Sequence, residues 1–154
     1  MLFIKLTSRQ VEDYSYACTK LQNTLLKMRR ARKFLEYVIT SSDNKPLVKC
    51  LQLFISEALQ FENEIAAQMN SFNCTQFHGH LRKQNEKTNV SIPVNDMHSI
   101  CNYVEEKYIK SYRRLLKDKY LNNSLKSLIN NQLQAFLSSI TQLRLFNELE
   151  PALN

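Results

Sequence analysis

Arg32 and Glu105 stand where the interior of a helical protein would not ordinarily take a charge. Arg32 falls on the apolar register of a long helical stretch, and Glu105 shares a face with Cys101, Tyr108 and Tyr112. A charge inside a bundle of helices must be paired, or its desolvation is costly. Arg32 is therefore expected to reach an internal carboxylate, Glu105 or Glu57, as a candidate internal ion pair. The competing reading keeps Arg32 at a helix edge, with its stem packed and its guanidinium in water.

Other residue types suited to chemistry are present without the spacing that chemistry needs. A di-iron carboxylate centre takes a Glu from each of two helices and a Glu-x-x-His pair from each of the other two. Three residues after Glu57, Glu62 and Glu64 come Gln60, Ile65 and Ala67, and the last helical stretch has no acidic residue before Glu148. Cys74, His78 and His80 bring zinc-compatible ligands close together, but they match no standard zinc spacing and have no evident fourth ligand. The same segment offers no third group to orient a Cys–His nucleophile. Gly79 is the only glycine, which rules out a glycine-rich phosphate loop. The sequence assigns no catalytic residue, no metal ligand and no cofactor.

Positive charge is the remaining chemical resource. The formal net charge is +7, from 21 Lys and Arg against 14 Asp and Glu. Lys27, Arg29, Arg30, Arg32 and Lys33 crowd the first helical stretch, and Lys107, Lys110, Arg113, Arg114 and Lys117 form a stripe at helical spacing. Phosphate binding uses such arrays, because each neutralised phosphate releases a counterion. No base-reading motif accompanies the stripe. It is therefore read first as a solvated face and second as an anion-binding surface for nucleic acid.

Long helices must carry these side chains. One glycine and three prolines leave too few turn residues for a sheet protein of 154 residues, while 44% hydrophobic content suits one globular domain. Val11, Tyr14, Cys18, Leu21, Leu25, Met28, Leu35 and Ile39 recur in steps of three and four, broken at Arg32. Leu47, Leu51, Phe54, Ala58, Phe61, Ile65 and Phe72 repeat the pattern, with Leu53, Ile55 and Leu59 broadening it. Thr7 or Ser8 is the expected first cap, Pro46 suits the first turn of the second helix, and Pro151 follows the end of the fourth. The widely spaced Cys18, Cys50, Cys74 and Cys101 are expected as structural thiols. Reduced cysteines, a start too short for a signal segment and the lack of a spanning apolar run imply a cytoplasmic, non-membrane protein.

With an offset of 75 residues, Cys50, Leu53, Phe54, Ala58, Phe61 and Ile65 fall on Leu125, Leu128, Ile129, Leu133, Phe136 and Ile140, and Tyr37 falls on Tyr112. Two similar hairpins and a polar connection predict an all-α, ferritin-like up-down four-helix bundle. Its helices span about 8–40, 46–72, 94–118 and 124–149, with a crossover at about 73–93.

The stretch Ser99-Ile-Cys-Asn-Tyr-Val-Glu-Glu-Lys-Tyr-Ile-Lys-Ser-Tyr, followed by Leu115-Leu-Lys-Asp118, resembles the third helix of certain bacterial ferritin-like proteins of unassigned function. In that family a Cys-Glu-x-Gly-Glu segment leads into Lys-x-Tyr and a Leu-Pro turn. Ile39 to Ile65, with Asp43, Leu47, Phe54, Phe61 and Glu64, is similar to its first turn and second helix. The likeness runs from about Leu25 to Leu149, in rhythm and a few identities. Asn102 replaces the segment's first Glu, Val104 its Gly, and Ile140 a His of the fourth helix; Glu105 alone persists. The resemblance implies a bundle whose usual metal ligands are lost.

The expectation from sequence is a non-enzymatic bundle, an interaction or assembly module for an unknown protein partner. Homodimerisation through helix packing is the nearest version of it, with the overhang of the first helix as a candidate contact. A metal-dependent oxidase or iron-storage relative is one alternative. A nucleic-acid binder using the basic surface is the other.

Overall fold

Three of the helix starts are fixed by short polar side chains that take up free backbone N–H groups. Asn44 Oδ1 accepts from Leu47 N–H at 3.2 Å, and Asn122 Oδ1 accepts from Leu125 N–H at 2.9 Å. Asp96 Oδ1 accepts from His98 N–H at 3.1 Å while its Oδ2 takes the Ser99 hydroxyl at 2.6 Å. The computed structural model describes residues 8–71, 74 and 96–153, with side chains for 15–71, 74, 96–146 and 148. Thr7, the stripe positions Val11 and Tyr14, the helix-one overhang as a contact, Phe72, and His78 and His80 as ligands lie outside those residues or side chains.

The described chain is all α, with no strand. α1 is Ser8–Ser41 and α2 is Lys45–Ser71. The third helix, α3, joins Met97–Val104, a π-helical turn at Glu105–Ile109, and Lys110–Leu116. α4 is Asn123–Leu153. Pro46 thus takes the second helical position, after the Asn44 cap and Lys45. Pro151 lies inside the last turn of α4 and does not follow its end.

Cross-helix pairs give the directions. Lys20 meets Asp118, the Tyr108 hydroxyl reaches the Met28 carbonyl, and Phe34 packs on Tyr103, so α3 runs antiparallel to α1. Gln132 reaches Phe61 and Ser139 reaches Glu57, so α4 runs antiparallel to α2. Tyr112 with Gln132 and Glu105 with Arg144 set α4 antiparallel to α3 as well. Each helix has two neighbours, in the ring α1–α2–α4–α3. Cys74 is held at the Cys18 end, whereas Asp96 opens α3 beyond the level of Phe34. The chain between them joins opposite ends of the bundle, which is the long crossover between two hairpins.

The core follows the stripes. Leu21, Met28, Leu35, Leu51, Ala58, Ile65, Val104 and Ile129 are buried, around a Phe136 ring whose centroid lies 5.0–5.4 Å from those of Phe54, Phe61, Tyr108 and Tyr112. The repeat survives in burial for Phe54 and Ile129, Ala58 and Leu133, and Ile65 and Ile140. It does not extend to the other helices, since Tyr37 is 58% exposed and Tyr112 is fully buried. Leu53 and Leu59 do not broaden the packed face of α2; they are 69% and 43% exposed, because only one arc of α2 meets its neighbours.

The cysteines depart from expectation too. Cys18 and Cys74 form a disulfide with Cα atoms 5.4 Å apart, while Cys101 is a buried free thiol and Cys50 a half-buried one. Folding the chain at residues 42–44 carries the end of α2 back beside Cys18. The Gln22 amide then donates to the Cys74 carbonyl at 2.8 Å.

Candidate functional site

The broken rung of α1 is filled from α2. Arg32 Nε donates to Glu62 Oε2 at 2.6 Å and Nη2 to Oε1 at 3.3 Å, a two-pronged contact. Its Nη1 reaches Glu36 at 2.8 Å, one turn on. Arg29 Nε adds a longer contact to Glu62, at 3.6 Å. The Glu62 side chain is 2% exposed and that of Arg32 16%. Hydrogen bonding to Glu62 holds the guanidinium even more firmly protonated than usual. Side chains lean toward the N-terminus of their own helix, and because Arg32 lies nearer the turn at 42–44 than Glu62 does, these two lean toward each other.

Arg32 is therefore internally paired, but neither expected partner is the one it uses. Glu105 lies at the half-exposed edge of the α3–α4 seam and takes Arg144 at 2.5 Å. Glu57 accepts from the Ser139 hydroxyl at 2.8 Å, across the α2–α4 seam. Sequence reading missed Glu62 because Phe61 claimed the adjacent rung. The spacing Ala58, Glu62, Ile65, Met69 also fits the stripe, and it offered the signal.

A second polar chain crosses the core. The Tyr112 hydroxyl donates to Gln132 Oε1 at 2.6 Å, and the Gln132 amide donates to the Phe61 carbonyl at 3.4 Å and to Glu64 at 3.1 Å. Tyr108, on the π turn, donates to the Met28 carbonyl at 3.1 Å. In that turn the Lys110 N–H bonds the Glu105 carbonyl five residues back, and Tyr108 and Ile109 both turn inward. Neither glycine nor proline marks the turn, so no residue type announces it.

Burial pushes the Tyr103 hydroxyl up to about 12 and raises those of Tyr108 and Tyr112 as well. Below about pH 10 the three are protonated in both folded and unfolded chains, and stability is unaffected. Above it the unfolded chain gives up these protons first, so stability falls, by roughly 1.4 kcal/mol per pH unit for each tyrosine. Urea midpoints from pH 8 to 11.5 should decline steeply beyond pH 10, with phenolate absorbance of these residues appearing as the helices melt. Full tyrosine ionisation ahead of any loss of ellipticity would contradict the burial.

Among the described residues the interior presents no open carboxylate. Two carboxylates there are nearly inaccessible and both are engaged, Glu62 by Arg32 and Asp118 by Lys20 and the Tyr120 N–H. Among the described residues no group of three His, Cys, Asp or Glu is placed to hold an ion. Cys74, proposed beside His78 and His80, is oxidised to a disulfide and has no thiolate to offer.

The basic stripe divides. Lys110 is tied to Glu106 at 2.5 Å, and Lys107 lies over the Tyr103 ring at 5.9 Å. Arg114 and Lys117 line a groove of about 380 Å³ with Lys20, Asn23, Thr24 and Lys27 of α1 and Ser111 and Leu115 of α3. Arg113 is exposed and outside it. Lys20 stands 3.2 Å from Asp118, whose buried carboxylate also caps the Tyr120 N–H at 2.9 Å, and that contact raises the Lys20 pKa. Comparison with models of protein families, with curated proteins and with solved structures gives no match.

Proposed function

We propose that the chain is a non-enzymatic, ferritin-like bundle that works as an interaction or assembly module through its outer faces. The observation that carries the reading is the Arg32–Glu62 pair, which takes up the most buried side-chain carboxylate among the described residues. Self-association is the form of interaction the surface favours. The α1–α3 side is strongly basic and repels its own copy. The α2–α4 side presents Leu53, 69% exposed, and Leu145, 51% exposed, beside a groove lined by Cys50, Phe54 and Leu143. No described helix is long and apolar enough to cross a membrane. Of the grounds for a cytoplasmic home, reduced thiols do not hold for Cys18 and Cys74, whose bond suits an oxidising compartment better.

Light scattering on a size-exclusion column tests the reading. The expected result is a species of twice the chain's 18.1 kDa, shifted to monomer by Leu53→Glu together with Leu145→Glu. A clean monomer of the unaltered chain at high concentration would remove self-association.

A further inference from the structure

We propose that the groove between α1 and α3 is a binding site for a compact organic polyphosphate, a small molecule with two or more phosphates. This inference stands apart from self-association, which uses the opposite side of the bundle. Cations converge from both walls, with Lys27 on α1, Arg114 on α3 and Lys117 just past its end. Among the described residues none of these three has a carboxylate within ion-pair distance; Lys20 alone is taken, by Asp118. The floor carries Thr24 and Ser111, 9% and 6% exposed, and neither hydroxyl hydrogen-bonds another described residue. Hydroxyl donors below and cations on two sides are what phosphate oxygens require.

Size and charge distribution select the ligand. The volume of about 380 Å³ lies in the range of small-molecule sites. A linked pair of phosphates supplies more oxygens than a single one for cations and hydroxyls placed on two helices. A nucleic-acid strand would need free cations continuing along the helices. Here the stripe is interrupted, because Lys110 is spent on Glu106 and Lys107 lies on Tyr103.

Calorimetric titration of the full chain with inorganic tripolyphosphate, and separately with a short DNA duplex, tests the site. The expected result is one tripolyphosphate per chain, with affinity falling about tenfold or more in Lys27→Glu and in Arg114→Glu. Arg113→Glu makes the same charge change on the same helix outside the groove and should alter affinity less than about twofold. Thr24→Val keeps every charge and should still weaken binding several-fold; circular dichroism checks that each variant is folded. Absence of binding, an equal loss in Arg113→Glu, an unchanged Thr24→Val, or tighter binding of duplex than of tripolyphosphate would each overturn the proposal.

Discussion

Arg32→Met should destabilise the bundle by about 3–5 kcal/mol, read as a lower urea midpoint with an unchanged slope. The substitution keeps an apolar stem of similar length, so the core loses little packing. What it leaves is the Glu62 carboxylate, 2% exposed, with Arg29 as its remaining cation at 3.6 Å. A carboxylate so placed must be protonated or draw in water, and either is costly. Glu62→Gln should cost less, because the freed guanidinium keeps Glu36 at 2.8 Å and is itself 16% exposed. That ordering, Arg32→Met worse than Glu62→Gln, follows from the unequal burial of the partners. A surface ion pair would give well under about 1 kcal/mol for both.

Loss of the disulfide should have an effect of similar size. The bond joins residues 56 apart, and closing a loop of that length removes unfolded-chain entropy worth about 4 kcal/mol. Both sulfurs are buried, with Cys18 2% and Cys74 1% exposed, so mild reductant should act slowly on the folded protein. Cys74→Ser in a thermal melt should lower the midpoint by several degrees or more, and reductant should then have no further effect. An unaltered melt after complete reduction would show that the pairing contributes nothing. The bond fixes the start of the crossover to α1, so its loss is expected to loosen that end of the bundle first.

Much of this architecture is readable from the chain. Steps of three and four residues predict α1 and α2 to within a residue or so, and Asn44 and Pro46 mark the hinge between them. The antiparallel ring follows from short links within hairpins and a long one between them. What periodicity cannot supply is a choice between neighbours. Phe61 and Glu62 both satisfy the stripe of α2, and only packing decides that Glu62 turns fully inward while Phe61 remains partly exposed. The π turn at Glu105–Ile109 shifts the register of α3 by one residue, and no local residue type announces it. Connectivity of the cysteines is not determined by spacing alone. It becomes legible once the hairpin is drawn, because folding at residues 42–44 brings the end of α2 back toward Cys18. The groove was half visible: Arg114 and Lys117 were in the stripe, but the matching Lys27 and Thr24 come from a helix distant in sequence.

The Arg32–Glu62 ion pair is what closes the interior of the bundle. A double-mutant cycle on Arg32→Met and Glu62→Met, followed by urea unfolding with chelator and again with added manganese, tests that most directly. The expected result is a favourable coupling of about 2–4 kcal/mol, the same in both buffers, with the double variant recovering much of the loss of Arg32→Met. Additive single effects, or stabilisation of the unaltered protein by manganese that disappears with Glu62→Met, would contradict it.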